Sequence, residues 1–260
     1  MMNKESQMFT KQVVLITGAL GDIGLCIAQQ FVAAGATVAL SDRYTDEEAV
    51  AKLHKADFAL DTYRYQQVDV TDYVAVQNWI DTVVNEFGAL HIVVANAATV
   101  TLKGYQELTA QDWSKELRVN VDGSFFVANY AANYFVKQGI RGNVIFMGSW
   151  AAHAVHQNLP AYSVSKAAIR MLCQSMALEF APYGIRVNEL APGFVNAGLS
   201  KVVWSENPGQ IEEARLKVPV QAIIEADEVA EQVLWICNPN NRHLTGSTLL
   251  MDGGLSLVRK

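Results

Sequence analysis

The 260-residue sequence predicts an α/β fold: a single domain built on a doubly wound parallel sheet of seven strands, with helices on both faces. Three observations carry that reading. Short β-branched runs alternate with stretches of helical spacing. Several of those runs are apolar throughout, as strands buried on both faces are. A glycine-rich turn follows the first of them.

The elements follow in order. Lys11 to Thr17 is the first strand, and Ile23, Ile27 and Phe31 then recur at helical spacing until Gly35. Thr37 to Ser41 is the second strand, so a β-α-β unit closes in about thirty residues, as parallel pairing requires. Tyr65 to Val70 reads as the third strand, with a helix opening at Thr71 or Asp72 and stopping near Gly88. His91 to Ala95 is a fourth strand. A long helical stretch runs from about Thr109 to Lys137 and ends at Gly139 and Gly142. Asn143 to Met147 is a strand, Tyr162 to Phe180 a helix, and Ile185 to Asn188 a strand. Ala226 to Ile236 and Thr248 to Met251 are the last helix and strand. Residues 197–220 carry Gly198, Pro208, Gly209 and Pro219, break the rhythm, and read as an inserted substrate lid. No linker or repeat interrupts the chain, so residues 1–260 are expected to form one domain.

Composition narrows the function. Apolar residues make up 51% and charged residues 18%, which is globular and excludes disorder. No run approaches the length of a membrane span. The opening Met1-to-Gln7 segment has no apolar core, so a cytoplasmic protein without a secretory signal is expected. A net charge of −6 argues against nucleic acid and anionic membrane surfaces as partners. Cys26, Cys173 and Cys237 are scattered and reduced in expectation. His153 and His156 stand three apart with no carboxylate or cysteine beside them, so no metal is expected.

The turn Thr17-Gly18-Ala19-Leu20-Gly21-Asp22-Ile23-Gly24 joins the first strand to the first helix. Glycines there let the backbone approach a pyrophosphate, whose charge the helix N-terminus stabilises. Asp42 ends the second strand, where a carboxylate accepts both hydroxyls of an adenosine ribose and repels a 2′-phosphate. Arg43 beside it offers a phosphate partner or a cover for the adenine. The carboxylate favours NAD.

Tyr162 and Lys166 are four apart, on one face of a helix. Ser149 ends the preceding strand, at the carboxyl edge of the sheet where ligands bind in such folds. Asn120 interrupts the apolar pattern of the long helical stretch, and a mid-helix asparagine needs a reason.

With these residues in order, the chain resembles the short-chain dehydrogenase/reductase family over nearly its whole length. The resemblance rests on Thr17-Gly18 to Gly24, Asp69-Val70, Asn96-Ala97-Ala98, Asn120, Ser149, Tyr162/Lys166, Asn188, Pro192-Gly193, and the ending Leu244-Thr245-Gly246 with Met251-Asp252-Gly253-Gly254. It implies a Rossmann-like fold and a catalytic unit of Asn120, Ser149, Tyr162 and Lys166. In that unit Tyr162 is the general base or acid. Lys166 lowers its pKa and holds the nicotinamide ribose. Ser149 binds the substrate oxygen, and Asn120 orients a water that links Lys166 to solvent. Cofactor contacts are implied for Gly18, Gly21, Ile23, Asp42, Asp69, Val70, Asn96, Tyr162, Lys166 and Val195, and a homotetramer for the assembly.

The chain departs from the family pattern at three places. Asp22 stands where the turn usually has glycine, and is expected to cap the first helix with its side chain turned aside. Ala98 replaces the glycine of the usual NAG. Ala197 stands where a threonine is common, leaving more of the carboxamide contact to Val195. Ser149, His156 and Trp204 are candidate substrate contacts, with Trp150 beside them. The expected function is NAD-dependent oxidation of a secondary alcohol on a small hydroxylated substrate, with a sugar or polyol favoured by His153, His156, Gln157 and Asn158. A ketone or 3-oxoacyl-thioester reductase is the alternative. A dinucleotide-sensing binding protein without chemistry is a distant third.

Overall fold

Alternation along β1 (Val13–Thr17) sends Val13 and Leu15 to one face of the sheet and Val14 and Ile16 to the other, and each face gathers its own core. The computed structural model describes residues 8–56, 58 and 63–258. The Met1-to-Gln7 segment and the last two residues lie outside them. Following β1, the chain runs through α1 (Asp22–Ala33), β2 (Thr37–Asp42), α2 (Asp46–Lys55), β3 (Tyr63–Gln67), α3 (Tyr73–Phe87) and β4 (Ile92–Ala95). Then come α4 (Ala110–Leu117), α5 (Ser124–Gln138), β5 (Asn143–Met147), α6 (Pro160–Phe180) and β6 (Arg186–Pro192). The chain closes with α7 (Gly198–Glu206), α8 (Pro208–Lys217), α9 (Ala226–Cys237) and β7 (Thr248–Met251).

All seven strands pair in parallel in the order β3-β2-β1-β4-β5-β6-β7. Register aligns Ala39, Leu15, Val93, Val144 and Val187 in one row across five strands. That row is fully buried under Val83 of α3, Phe135 of α5 and Cys173 of α6. On the opposite face Ile16, Leu40, Val94 and Ile145 pack against Ile27 and Phe31 of α1 and Val233 of α9. Each such large side chain contributes about 2 kcal/mol by leaving water. Phe135→Ala would cost about 3–5 kcal/mol, because the cavity adds to the lost transfer energy.

The winding reverses between β1 and β4, and a crevice opens there at the carboxyl ends of the strands. Thr17, Asp42, Asn96 and Ser149 all stand at that edge.

Four expectations are corrected. The third strand starts at Tyr63 and ends at Gln67. Val68 still gives its N–H to Asp42 at 2.9 Å, after which Asp69 bends its carboxylate onto Thr71 N and Oγ1, and that local turn leaves the sheet. Helix α2, absent from the expected elements, is nucleated by a capping box in which Thr45 and Glu48 satisfy each other's backbone N–H. The long helical stretch is α4 and α5 joined by a π-helical segment over Arg118–Gly123. Helix α6 begins two residues before Tyr162, with Pro160 in its first turn. Residues 197–220 fold mostly as α7 and α8 beside the crevice.

Candidate active site

The glycine turn is clamped from the β4 side. Thr17 Oγ1 accepts the N–H groups of Asn96 and Ala97 at 3.1 Å each, and Asn96 Nδ2 donates to Thr17 O and Gly18 O at 3.0 Å. Gly18 has φ +61°, and a Cβ there would stand 2.7 Å from Ala97 Cα. A Cβ on Gly24 would collide with Gly18 O, so the turn and α1 approach as only glycine allows. The first turn of α1 receives no side-chain cap, since its N-cap is Gly21, and its N–H groups are left for a ligand.

That helix end opens into a cavity of about 620 Å³. Gly18, Gly21, Ile23, Asp42, Asp69, Val70, Asn96, Ser149, Tyr162, Lys166 and Val195, all singled out in the sequence, are brought together along its wall. Ala98 and Ala197 line it too, so the extra methyl at 98 is accommodated at its wall. A bridge between Val195 and Ile224 fixes the Val195 backbone there. An uncapped helix N-terminus, a close-approach turn and a carboxylate at the end of β2 together fit a nicotinamide dinucleotide.

Asp22 corrects an expectation. It lies inside α1 and caps nothing. Its carboxylate instead accepts the N–H of Gly198 at 2.8 Å and meets Lys201 Nζ at 3.6 Å, tying the glycine turn to α7. Asp22 itself lines the cavity, with its carboxylate tied to the 197–220 segment.

Across the cavity, Ser149 Oγ accepts the N–H of Ala151 at 3.2 Å, and its own hydroxyl is engaged with the Tyr162 phenol. Burial pushes the Tyr162 phenol up, a hydrogen bond with Ser149 draws it down, and the charge of Glu116 pushes it up again. Lys166 stands 5.5 Å from the Tyr162 ring centre and donates to Met147 O at 2.7 Å. Burial lowers its pKa to about 8, against the opposing pull of Glu189 and Glu116. A buried ammonium beside a phenol and a serine hydroxyl can move a proton to or from an oxygen held at the phenol and the hydroxyl.

Asn120 is buried beside this group, but its side chain is already committed. Oδ1 accepts Thr99 N at 2.8 Å, and Nδ2 donates to Thr99 O at 2.9 Å and Ser165 Oγ at 3.0 Å. Both Nδ2 hydrogens are thus used within the protein, and Oδ1 keeps one lone pair. The amide pins the strand-end loop to α6, and Asn120 O accepts the Ser124 hydroxyl at 2.7 Å.

His156 and Trp204 are half-buried and stand apart from the residues lining the cavity. His156 packs edge-on against Trp150, whose ring packs in turn on Phe194. His153 Nδ1 lies 3.2 Å from an Arg170 nitrogen. Among the described residues, no three His, Cys, Asp or Glu side chains converge as a metal set.

Two residues near the site went unnoticed in the sequence: Glu116 of α4 and Glu189 of β6, both fully buried. Each keeps one carboxylate oxygen without a hydrogen bond. The signal was available. Glu189 is the one acid inside an otherwise apolar strand end, Asn188-Glu189-Leu190-Ala191-Pro192.

A family model described as enoyl-(acyl carrier protein) reductase matches residues 18–256. The NADP-dependent (R)-specific alcohol dehydrogenase of Lentilactobacillus kefiri is 31% identical over 94% of this chain and 96% of its own. Glucose 1-dehydrogenase 2 of Bacillus subtilis is 30% identical over 95% of this chain and 96% of its own. The crystal structure of a short-chain type dehydrogenase/reductase from Mycobacterium marinum superposes with a TM-score of 0.83 at 28% identity, covering 95% of this chain and 96% of that one.

Proposed function

The chain belongs to the short-chain dehydrogenase/reductase family, an oxidoreductase family using nicotinamide dinucleotides, and from that premise we propose an NAD-dependent dehydrogenase of secondary alcohols. The favoured substrate is a small hydroxylated molecule, a sugar or polyol. Residues 1–260 act as one domain, with the 197–220 segment as its lid.

The observation that carries the cofactor reading is Asp42. Its carboxylate lines the cavity at the end of β2 and takes the N–H groups of Leu20 at 3.0 Å and Arg43 at 2.7 Å. Those bonds hold the carboxylate in place, and each oxygen keeps a lone pair for a ribose hydroxyl.

In oxidation Ser149 turns its hydroxyl proton from Tyr162 to the substrate oxygen, and Tyr162 takes the proton of the alcohol. Lys166 supplies the positive charge that favours the phenolate. When bound, the dinucleotide supplies the two-electron acceptor. The product is a ketone, and the proton held at Tyr162 leaves toward Lys166 and solvent. In reduction the same residues run in reverse, so a ketone or 3-oxoacyl-thioester reductase uses the same machinery. A non-catalytic dinucleotide sensor has no need of the Ser149-Tyr162-Lys166 grouping.

Val164, Met171 and Leu178 form an exposed apolar stripe at every seventh residue of α6, and Phe125 of α5 is exposed as well. That stripe supports pairing of α6 with its copy in a cytoplasmic homotetramer.

Initial rates over a panel of sugars, polyols, hydroxy acids and simple secondary alcohols, with NAD and NADP in parallel, test the reading. Turnover of a polyol or sugar with NAD supports it. Turnover of only ketones or 3-oxoacyl thioesters with NADPH replaces it with the reductase.

A further inference from the structure

The row of sheet residues next to the catalytic edge runs Ala95, Phe146, Glu189 and Thr248 across four strands. Ala95 and Phe146 belong to the apolar core under α3, α5 and α6, yet their neighbour in the row is a fully buried glutamate. One oxygen of Glu189 accepts the Thr248 hydroxyl at 2.5 Å. The other has no partner and lies where a Cβ on Gly148 would be, so residue 148 must be glycine for the carboxylate to fit. Gly148 follows Met147, whose carbonyl receives the Lys166 ammonium. Glu189 and Lys166 therefore converge on the same peptide, without an ion pair within 4.0 Å.

A buried carboxylate with a free oxygen is costly unless a charge compensates it: burial pushes the Glu189 carboxyl up, against the Thr248 hydroxyl and the charges of Lys166 and Arg170. The available cation is Lys166, with Arg170 one turn further along α6. On the proposed dehydrogenase reading, we infer that Glu189 is a positioning residue for the reaction: its carboxylate, wedged against Gly148, keeps the Lys166 ammonium charged beneath Tyr162. Glu189 acts through Lys166 alone, whereas Glu116, on the α4 side, faces both Lys166 and Tyr162. The groups facing Lys166 are then Glu116 from α4, Glu189 from β6, Tyr162 on its own helix and the Met147 carbonyl at the end of β5. Cys173 of α6 also faces Glu189.

The sign follows. Without the Glu189 charge, Lys166 gives up its proton at lower pH. The phenolate then loses its positive neighbour, and Tyr162 ionises only at higher pH. Glu189→Gln keeps the shape and removes the charge. It should move the rising limb of kcat/KM for alcohol oxidation toward alkaline pH by about one unit, a loss of about tenfold at neutral pH. Thr248→Val, at the partly exposed edge strand, removes the hydroxyl that stabilises the carboxylate. It should move the limb the same way by less. The folding of each variant is checked by its melting temperature.

A second readout needs no substrate. The near-ultraviolet phenolate titration of Tyr162, obtained as the difference between each protein and its Tyr162→Phe version, should shift in parallel. If no alcohol is oxidised but this titration shifts, the dehydrogenase reading fails and the Lys166–Glu189 coupling stands. If both Glu189→Gln and Thr248→Val fold and neither limb nor titration moves, the inference is overturned and Glu189 merely fills its row.

Discussion

The Asp42 carboxylate accepts the backbone N–H of Leu20 at 3.0 Å, so the residue that would meet the adenosine ribose also fastens the glycine turn to the end of β2. Specificity and turn geometry share one side chain. The unmodified enzyme should favour NAD over NADP by about a hundredfold in kcat/KM. Two charge-assisted bonds at about 1.5–3 kcal/mol each are at stake, together with repulsion of a 2′-phosphate. Asp42→Ala should narrow that preference and also strand the Leu20 N–H, costing about 1–3 kcal/mol of stability. Asp42→Asn keeps an acceptor for Leu20 and should narrow the preference at smaller cost in stability. Steady-state kinetics with both cofactors, beside thermal denaturation, separate the two roles. Equal efficiency with NADP in the unmodified protein would show that Arg43 takes the phosphate.

Tyr162→Phe removes one oxygen from a site whose remaining contacts stay in place. Oxidation should fall by at least a thousandfold, while NADH affinity stays within about threefold, because binding rests on the turn and Asp42. Fluorescence titration of NADH alongside single-turnover rates checks both halves. A kcat above a tenth of the unmodified value would remove Tyr162 from the acid/base role.

Raising pH should speed oxidation and slow reduction. Tyr162 must be a phenolate to accept a proton and a phenol to give one. Its burial holds the phenol above its ordinary value, and Lys166, with a pKa lowered to about 8, keeps its compensating charge only below that point. Phenol and ammonium titrate as a coupled pair, so the limbs describe the pair. Initial rates in both directions from about pH 6 to about pH 10 should cross in opposite senses. Parallel pH dependence in the two directions would place the essential proton elsewhere.

Asp22 anchors α7 through Gly198 N and Lys201. Asp22→Ala should free that end of the lid while leaving the sheet intact. The anchor is partly exposed, so its loss should cost about 1 kcal/mol or less globally. Hydrogen exchange should accelerate in residues 198–206 and stay unchanged in β1 and β4. Unchanged exchange at Gly198 would mean that the lid is held by its own packing.

The α6 stripe predicts that Met171→Glu with Leu178→Glu breaks the assembly, since each would bury a charge at a helix pair. Sedimentation should change from a tetramer to a smaller species at micromolar concentration. A monomer in the unmodified protein would overturn the assembly.

The seven parallel strands and the glycine turn were legible in the sequence because backbone geometry demands their residue types, whereas Ser149, Tyr162 and Lys166 were found by spacing and by family resemblance. Apolar runs declare buried strands, and a glycine turn declares close approach. Helix α2 was hidden by its polarity. Only Ala49 and Leu53 are buried on it, so hydrophobic spacing gave little, although Thr45-x-x-Glu48 marked its start. The role of Asp22 was misread because its partners stand 176 and 179 positions away, in a segment whose fold local spacing does not show. Asn120 was found by its oddity within an apolar pattern, but only three-dimensional contact reveals that Thr99 and Ser165 occupy its amide. Glu116 and Glu189 were overlooked because acids are presumed solvated until the packing around them is known.

The π-helical segment at Arg118–Gly123 has a mechanical consequence. A helix that widens by one residue per turn loses angular phase, about 100° for each added residue. Glu116 and Asn120 precede or lie within the widened turn, and Phe125 follows it. The azimuth of the inner, site-bearing surface is therefore set independently of that of the outer surface, which carries the exposed Phe125 and is copy-facing on the proposed assembly. Deleting a single residue between Arg118 and Gly123 would restore an ordinary α pitch and rotate one surface relative to the other. Such a deletion should leave helicity by circular dichroism intact while uncoupling assembly from catalysis. The widened turn thus works as a phase adjuster between two surfaces carried on one rod.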